Sequence, residues 1–308
     1  MVDPGEGDAE IGGAGGGGGA TSSGHRGDVA AGRAVGSAAM TDGTEVAPGL
    51  LYDVDGAVAR LVINRPERRN ALTWELVGAM RTALADADAD PAVRVVVLGG
   101  AGDRAFCAGA DLGGMAGGDS VALHEARGQL AGLFGDLWSL GKPTVASVRG
   151  YALAGGFGLA LSCDLVVAAA DAVFGAPEID VGLWPFMITV PMVRAMPPKR
   201  ALELMMTGRR VDAAEAEAIG FVTSVVPVAE LDTAVASLAA TLADKPPAAM
   251  RIGRRAFYAT IDLAADEALA QLHPLLGIVA DGSEATEGMA AFHDKRPPAW
   301  RSGGGASS

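Results

Sequence analysis

Three short runs, Val95–Leu98, Thr144–Val148 and Leu165–Ala169, are apolar or nearly so from end to end, without the in–out alternation of a strand that has one face in water. Strands of this kind are buried on both faces, as in a parallel sheet covered by helices on each side. Helix-length segments fit between them, from about Val121 to Leu140 and at Gly155–Ser162. Strand, helix and strand in that order imply right-handed βαβ units and an α/β core.

The flanks complete the plan. Leu51–Val54, Asp55-Gly56 and Val58–Ile63 read as a β-hairpin closed by a tight turn, and Asn64-Arg65-Pro66 ends it. Thr73 is placed to cap a helix that carries Leu76, Val77, Met80 and Leu84 on one face, and Pro91 stops that region. Gly99–Gly118 reads as a long loop of small residues. After about residue 195 the chain turns helical. Asp212-Ala213-Ala214-Glu215 resembles a capping box, Gly220 suits a helix end, and further helices fit 229–243, 247–260 and 263–280. The strand-containing units share no sequence period. The expected division is a tail at 1–46, an α/β core at 47–200, a helical region at 201–301 and a second tail at 302–308. Both tails are expected to be disordered: Gly12–Gly19 is nearly all glycine, and such a segment buries too little apolar surface to offset its ordering entropy.

Composition narrows the function. The 308 residues are 50% hydrophobic, with no apolar run of the roughly 18–20 residues that span a bilayer. The start, Met1-Val2-Asp3-Pro4, lacks a basic flank and an apolar signal core, so a cytoplasmic, membrane-free protein is expected. Cys107 and Cys163 read as two buried thiols rather than a disulfide. His25, His124, His273 and His293 are scattered, with no CxxC or HExxH, so no metal site is expected. A net charge of −13 disfavours nucleic acid as partner, although a few arginines and backbone N–H groups can still hold a small anion.

Three segments that follow expected buried strands could carry chemistry, because ligands in such architectures gather at strand C-terminal ends. Ala105–Leu112 and Gly150–Leu159 are rich in small residues, which let the backbone approach a ligand and present its N–H groups. The second run opens a helix, whose N-terminus has free donors and a partial positive charge. One N–H from each run could form an oxyanion hole. The alternative for each is a tight turn that needs small residues. In Phe174–Ile179, Glu178 follows a proline in an apolar stretch, where a carboxylate has a raised pKa suited to acid–base work. The alternative is a surface glutamate at a strand end. Asp180 shares its face only if the strand continues.

Together these segments resemble the enoyl-CoA hydratase/isomerase, or crotonase, superfamily, from about Leu51 to Trp300. The markers are Asn64–Leu72, Phe106–Leu112, Gly150–Leu159, Ala176–Ile179 and Phe292–Trp300. The resemblance implies a crotonase-like spiral of ββα units with a C-terminal helical region that builds homotrimers, often paired as hexamers. It implies an acyl-CoA thioester as substrate, with no further cofactor, and an oxyanion hole from the N–H groups of Ala110 and Gly155. It implies coenzyme A contacts near Arg68, Asn70, Ala71 and Ala108. It assigns Asp111, Leu112, Tyr151, Gly156, Pro177 and Trp184 to the substrate site, where Asp111 is mostly loop-shaping and Tyr151 and Trp184 read as packing or pocket lining. Phe292 and Lys295 match positions that reach a neighbouring subunit's nucleotide, or else belong to a packed, solvated terminal helix.

One departure bears on the reaction. Hydratases of the family carry a second glutamate three residues after the oxyanion glycine, and Gly158 stands there. Two carboxylates divide the work of holding water and moving protons, whereas shifting a double bond from the 3,4 to the 2,3 position needs one base. No carboxylate follows Gly182 in Leu183–Met187, so a dehalogenase-like nucleophile has no candidate there. Three readings follow: a Δ3-Δ2 enoyl-CoA isomerase with Glu178 as sole base, a hydratase working with one glutamate, and a coenzyme A-binding protein with lost catalysis.

Overall fold

The computed structural model describes residues 43–111 and 120–301. Its first strand, β1 (Thr44–Ala47), lies antiparallel on β2 (Leu50–Asp55), which turns into β3 (Val58–Ile63). The expected hairpin forms, with its loop at Gly56-Ala57: Asp55 still pairs with Val58, and Gly56 takes the positive φ, 59°, that the turn requires. β1 carries the folded part back to Thr44, inside the segment assigned to the tail. The rest of that expected tail, and the one at 302–308, lie outside the described residues. α1 (Trp74–Ala89) begins where expected, with Thr73 Oγ1 accepting the Leu76 N–H at 3.2 Å.

The chain then makes three turns of one pattern. β4 (Val95–Gly100), β5 (Ala105–Cys107) and α2 (Ser120–Ser139) are the first. β6 (Thr144–Val148), β7 (Tyr151–Leu153) and α3 (Gly155–Ser162) are the second. β8 (Leu165–Ala169), β9 (Val173–Gly175) and α4 (Phe186–Ala195) are the third. The first strand of each turn joins a seven-stranded sheet, and the second joins a four-stranded sheet beside it. This is the ββα spiral that the resemblance implied. The sequence shows no period because the turns begin at Val95, Thr144 and Leu165, at unequal spacing. β5 lies inside the segment read as a loop, β7 inside one read as a glycine turn, and β9 at the start of the segment that carries Glu178, where only a strand end was expected. At three residues each they carry no legible alternation, and pairing alone makes them strands, with Leu153 opposite Gly175 and Cys107 opposite Ala152.

Beyond α4 come α5 (Pro198–Thr207), β10 (Arg210–Asp212), α6 (Ala213–Ile219), β11 (Ser224–Val226), α7 (Leu231–Ala243), α8 (Pro247–Thr260), α9 (Ala265–Ala280) and α10 (Ser283–His293). Asp212 caps α6 through the Glu215 N–H at 2.8 Å, and Gly220 ends it at φ 100°, as expected. The large sheet runs β1-β2-β3-β4-β6-β8-β11, parallel from β3 onward, and the small one β10-β9-β7-β5. Position 200 therefore divides nothing: β10 and β11 complete the two sheets. The apolar strands are buried on both faces, as expected. Val96, Leu98, Ala146 and Val148 point into the main core with α1, and Val95, Val97, Val145 and Val167 point under α7, against Leu231, Val235 and Ala239.

α8 is held by one buried ion network. Arg254 pairs with Asp164 at 2.7 Å and also donates to the carbonyls of Leu137, Trp138 and Leu140, while the Tyr258 hydroxyl donates to Asp164 at 2.7 Å. α9 is different: it has no buried residue, and Leu269, Leu272, Leu276 and Ile278 stand exposed. Among the described residues no helix is long and apolar enough to cross a membrane.

Candidate active site

β5, β7 and β9 are parallel neighbours, so the loops that leave their C-terminal ends emerge side by side. The first is laced to the segment before α1. Asn70, fully buried at φ 56°, accepts the Arg65 N–H and donates from Nδ2 to the carbonyls of Ala101 and Ala105. Ala108 N–H donates to Arg69, Leu72 N–H to Gly109, and Asp111 N–H to Leu72, each at 3.0 Å or less. The bridge between Leu72 and Ala110 is parallel, so its bonds use the Gly109 carbonyl and the Asp111 N–H and pass over the N–H of Ala110. Arg65 pairs with Asp111 at 3.0 Å and also donates to the Ala71 carbonyl.

The second loop turns sharply into α3. Ala154, at φ 51° and ψ −127°, holds a backbone conformation that strains any residue with a β-carbon. The first bond within α3 is Gly158 N–H to Ala154 O, so the Gly155 N–H has no partner inside its helix and sits at the positive end of the dipole. A methyl on Gly109 would lie 2.8 Å from the Ala154 methyl and 3.4 Å from the Gly155 nitrogen. The loop with Ala110 and the helix start at Gly155 are therefore in contact.

The third loop brings the acid. Pro177–Val181 is a 3-10 helix with Pro177 in its first turn. Because the strand stops at Gly175, Asp180 does not share Glu178's face and is exposed. Glu178 is half-buried, its Oε2 is closed to solvent, and no described residue hydrogen-bonds that atom. Desolvation lifts its pKa above the usual carboxylate range. The thiols offer no rival nucleophile. Burial pushes Cys107 up to about 12, and burial, then the Asp164 charge, raises Cys163 as well.

The Gly158 position is sealed. A methyl there would lie 2.4 Å from Ile188 Cγ2 and 2.9 Å from Phe134 Cζ. Ile188 comes from α4, a helix not foreseen in the sequence, so the plug was invisible there even though the missing glutamate was plain.

The resemblance to the crotonase superfamily is matched by direct comparison. The model of the enoyl-CoA hydratase/isomerase family matches residues 53–303. A Thermus thermophilus protein that carries an enoyl-CoA hydratase name is 38% identical over 248 residues, 79% of this chain and 97% of its own length. The chain belongs to the enoyl-CoA hydratase/isomerase family. A carnitinyl-CoA dehydratase of Proteus mirabilis is 33% identical over 255 residues, 80% of this chain and 95% of its own. The crystal structure of an enoyl-CoA hydratase from Bacillus anthracis superposes with a TM-score of 0.79 at 31% identity, covering 82% of this chain and 99% of that one.

Within that family fold, the expected site residues separate into groups. Ala108, Ala110, Gly155, Pro177 and Glu178 lie on the three adjoining loops. Ala71, with Asn70 and exposed Arg68, lies on the segment laced to the first of them. Asn70 spends its side chain inside the protein, so it shapes the loop, and Asp111 does the same through Arg65. Gly156 is a packing requirement: a methyl on it would meet the Cys107 carbonyl at 2.1 Å. Tyr151 lies beneath the guanidinium groups of Arg69 and Arg210, 6.0 and 5.4 Å from its ring centre, and Trp184 packs against the main core. Phe292, 88% exposed, and exposed Lys295 end the α10 segment. Leu112 lies outside the described residues. Sequence reasoning missed Arg65, Phe134 and Ile188, and only Arg65, inside a family marker, had a visible signal.

Proposed function

We propose that the protein moves the double bond of a 3-enoyl-CoA to the 2,3 position, with Glu178 as the only acid–base group. The observation that carries this reading is a buried carboxylate oxygen with no hydrogen-bond partner among the described residues, in a site whose second carboxylate position is filled by Ile188 and Phe134. The N–H groups of Ala110 and Gly155 receive the thioester carbonyl oxygen. Glu178 takes a proton from C2, the electron pair moves onto that oxygen as a dienolate held by the two donors, and the same proton returns at C4. No atom is gained or lost, and no water has to be held.

The relatives' hydratase names favour a second reading, hydration of a 2-enoyl-CoA with Glu178 alone. The test incubates the purified protein with a medium-chain 3-enoyl-CoA and follows product mass and double-bond position. Unchanged mass with the bond at the 2,3 position is expected. A product heavier by one water supports hydration instead. Binding of acyl-CoA without turnover supports a protein with lost catalysis.

We also propose that α9 is covered by further copies of the chain in a homotrimer, alone or paired as a hexamer, because this helix, although it rests on α8 and α10, leaves four large aliphatic residues uncovered by the described part of its own subunit. Light scattering is expected to give a trimer or hexamer mass. Leu269→Glu with Leu276→Glu is expected to lower it to that of the single chain.

A further inference from the structure

We propose that a second site, at the N-terminal ends of β4 and β6 in the large sheet and sharing no residue with the three catalytic loops, binds a small organic phosphate. A cavity of about 510 Å³ lies between the end of α1, the turn before β6 and the start of α8. Val93 and Arg94 lead into β4, and Gly141–Pro143 lead into β6. The cavity therefore sits at strand N-terminal ends, whereas the catalytic loops leave C-terminal ends.

Its charge balance is the reverse of the chain's. Arg94, Lys142, Lys245, Arg251 and Arg255 line it, against Asp88 and Glu284. Both carboxylates are already engaged. Asp88 accepts the Gly141 N–H at 2.8 Å and pairs with Arg255 at 3.1 Å, and Glu284 accepts the N–H groups of Ala248 and Ala249 at 2.8 and 2.9 Å. Lys142 donates to the carbonyls of Ala87 and Asp90, and Arg94 to the Lys245 carbonyl, so neither charge is neutralised by those bonds. Among the described residues, no ion pair involves Arg94, Lys142, Lys245 or Arg251.

The cations are positioned rather than scattered. Gly141 has no side chain where a methyl would meet the Arg251 stem at 3.1 Å, so that stem lies against the turn. A guanidinium matches a phosphate with paired N–H donors, and lysines add point charge. The cavity is large enough for more than a bare ion, and Val93, Leu242 and Met250 give it an apolar wall.

Calorimetric titration of the full chain with adenosine diphosphate and, separately, inorganic pyrophosphate tests the site. Saturable binding of adenosine diphosphate, one per chain and weaker at higher salt, is expected. Arg251→Glu or Lys245→Glu is expected to weaken it about ten-fold or more, since either exposed change replaces an attraction by a repulsion. Enzymatic turnover and melting temperature are expected to stay at wild-type values. No saturable binding at millimolar nucleotide overturns the proposal. So does binding of pyrophosphate without the nucleotide, or nucleotide binding unchanged in both variants, which would place the phosphates on the coenzyme A path.

Discussion

Glu178→Gln is expected to lower kcat by about 10²–10⁴-fold, the usual contribution of one positioned acid–base group. Glutamine keeps the shape of the side chain but cannot take a proton from carbon. Ala110 and Gly155 are untouched, so affinity for an acyl-CoA is expected to change little. The wild-type pH profile carries the same signature. The base must be ionised and its pKa is raised by burial, so kcat/KM is expected to fall on the acid side at a pH above the ordinary carboxylate range. Stability moves the other way. A carboxyl with a raised folded-state pKa contributes stability fully below its unfolded pKa and loses it as pH rises through the folded value. At neutral pH the glutamine variant is therefore expected to melt no lower than wild type. Turnover within a few-fold of wild type in this variant would end the case for Glu178 as the base.

Gly158→Glu, which restores the missing glutamate of a two-carboxylate hydratase, is expected to destabilise the protein by about 3 kcal/mol or more and to add no hydration. Its first side-chain carbon already meets Ile188 at 2.4 Å and Phe134 at 2.9 Å, and a carboxylate pushed past them enters a buried, apolar surround. Adding Ile188→Ala removes the closest contact and is expected to recover part of the loss in urea denaturation. A single variant that keeps wild-type stability and hydrates a 2-enoyl-CoA would show that the position is open.

The contrast between these two positions shows what the chain's residues disclose. Glu178 is legible because an acid directly after a proline in an apolar run is a local fact. Gly158 is legible only as an absence, because the atoms that fill the space come from residues 134 and 188, remote in sequence. The fold divides in the same way. β4, β6 and β8 declare themselves because burial on both faces leaves no polar residue in step. The short strands β5, β7 and β9 exist only through their neighbours, and they set the three loops side by side. Asn70 stood out as a family marker, yet its part became clear only when both ends of its amide were found inside the protein. Tyr151 has its partners at Arg69 and Arg210, a pairing that no local pattern announces.

The contorted backbone at Ala154 bears on how far this catalyst can drift. Glycine at 154 would relax the turn, yet the alanine methyl lies against the bare α-carbon of Gly109 and works as a shim between the two loops. The spacing between the Ala110 loop and the start of α3, the gap we propose for the oxyanion, is then a machined dimension, set by one methyl thickness. A change at either residue alters that spacing without replacing Ala110 or Gly155, so the two positions are expected to vary together.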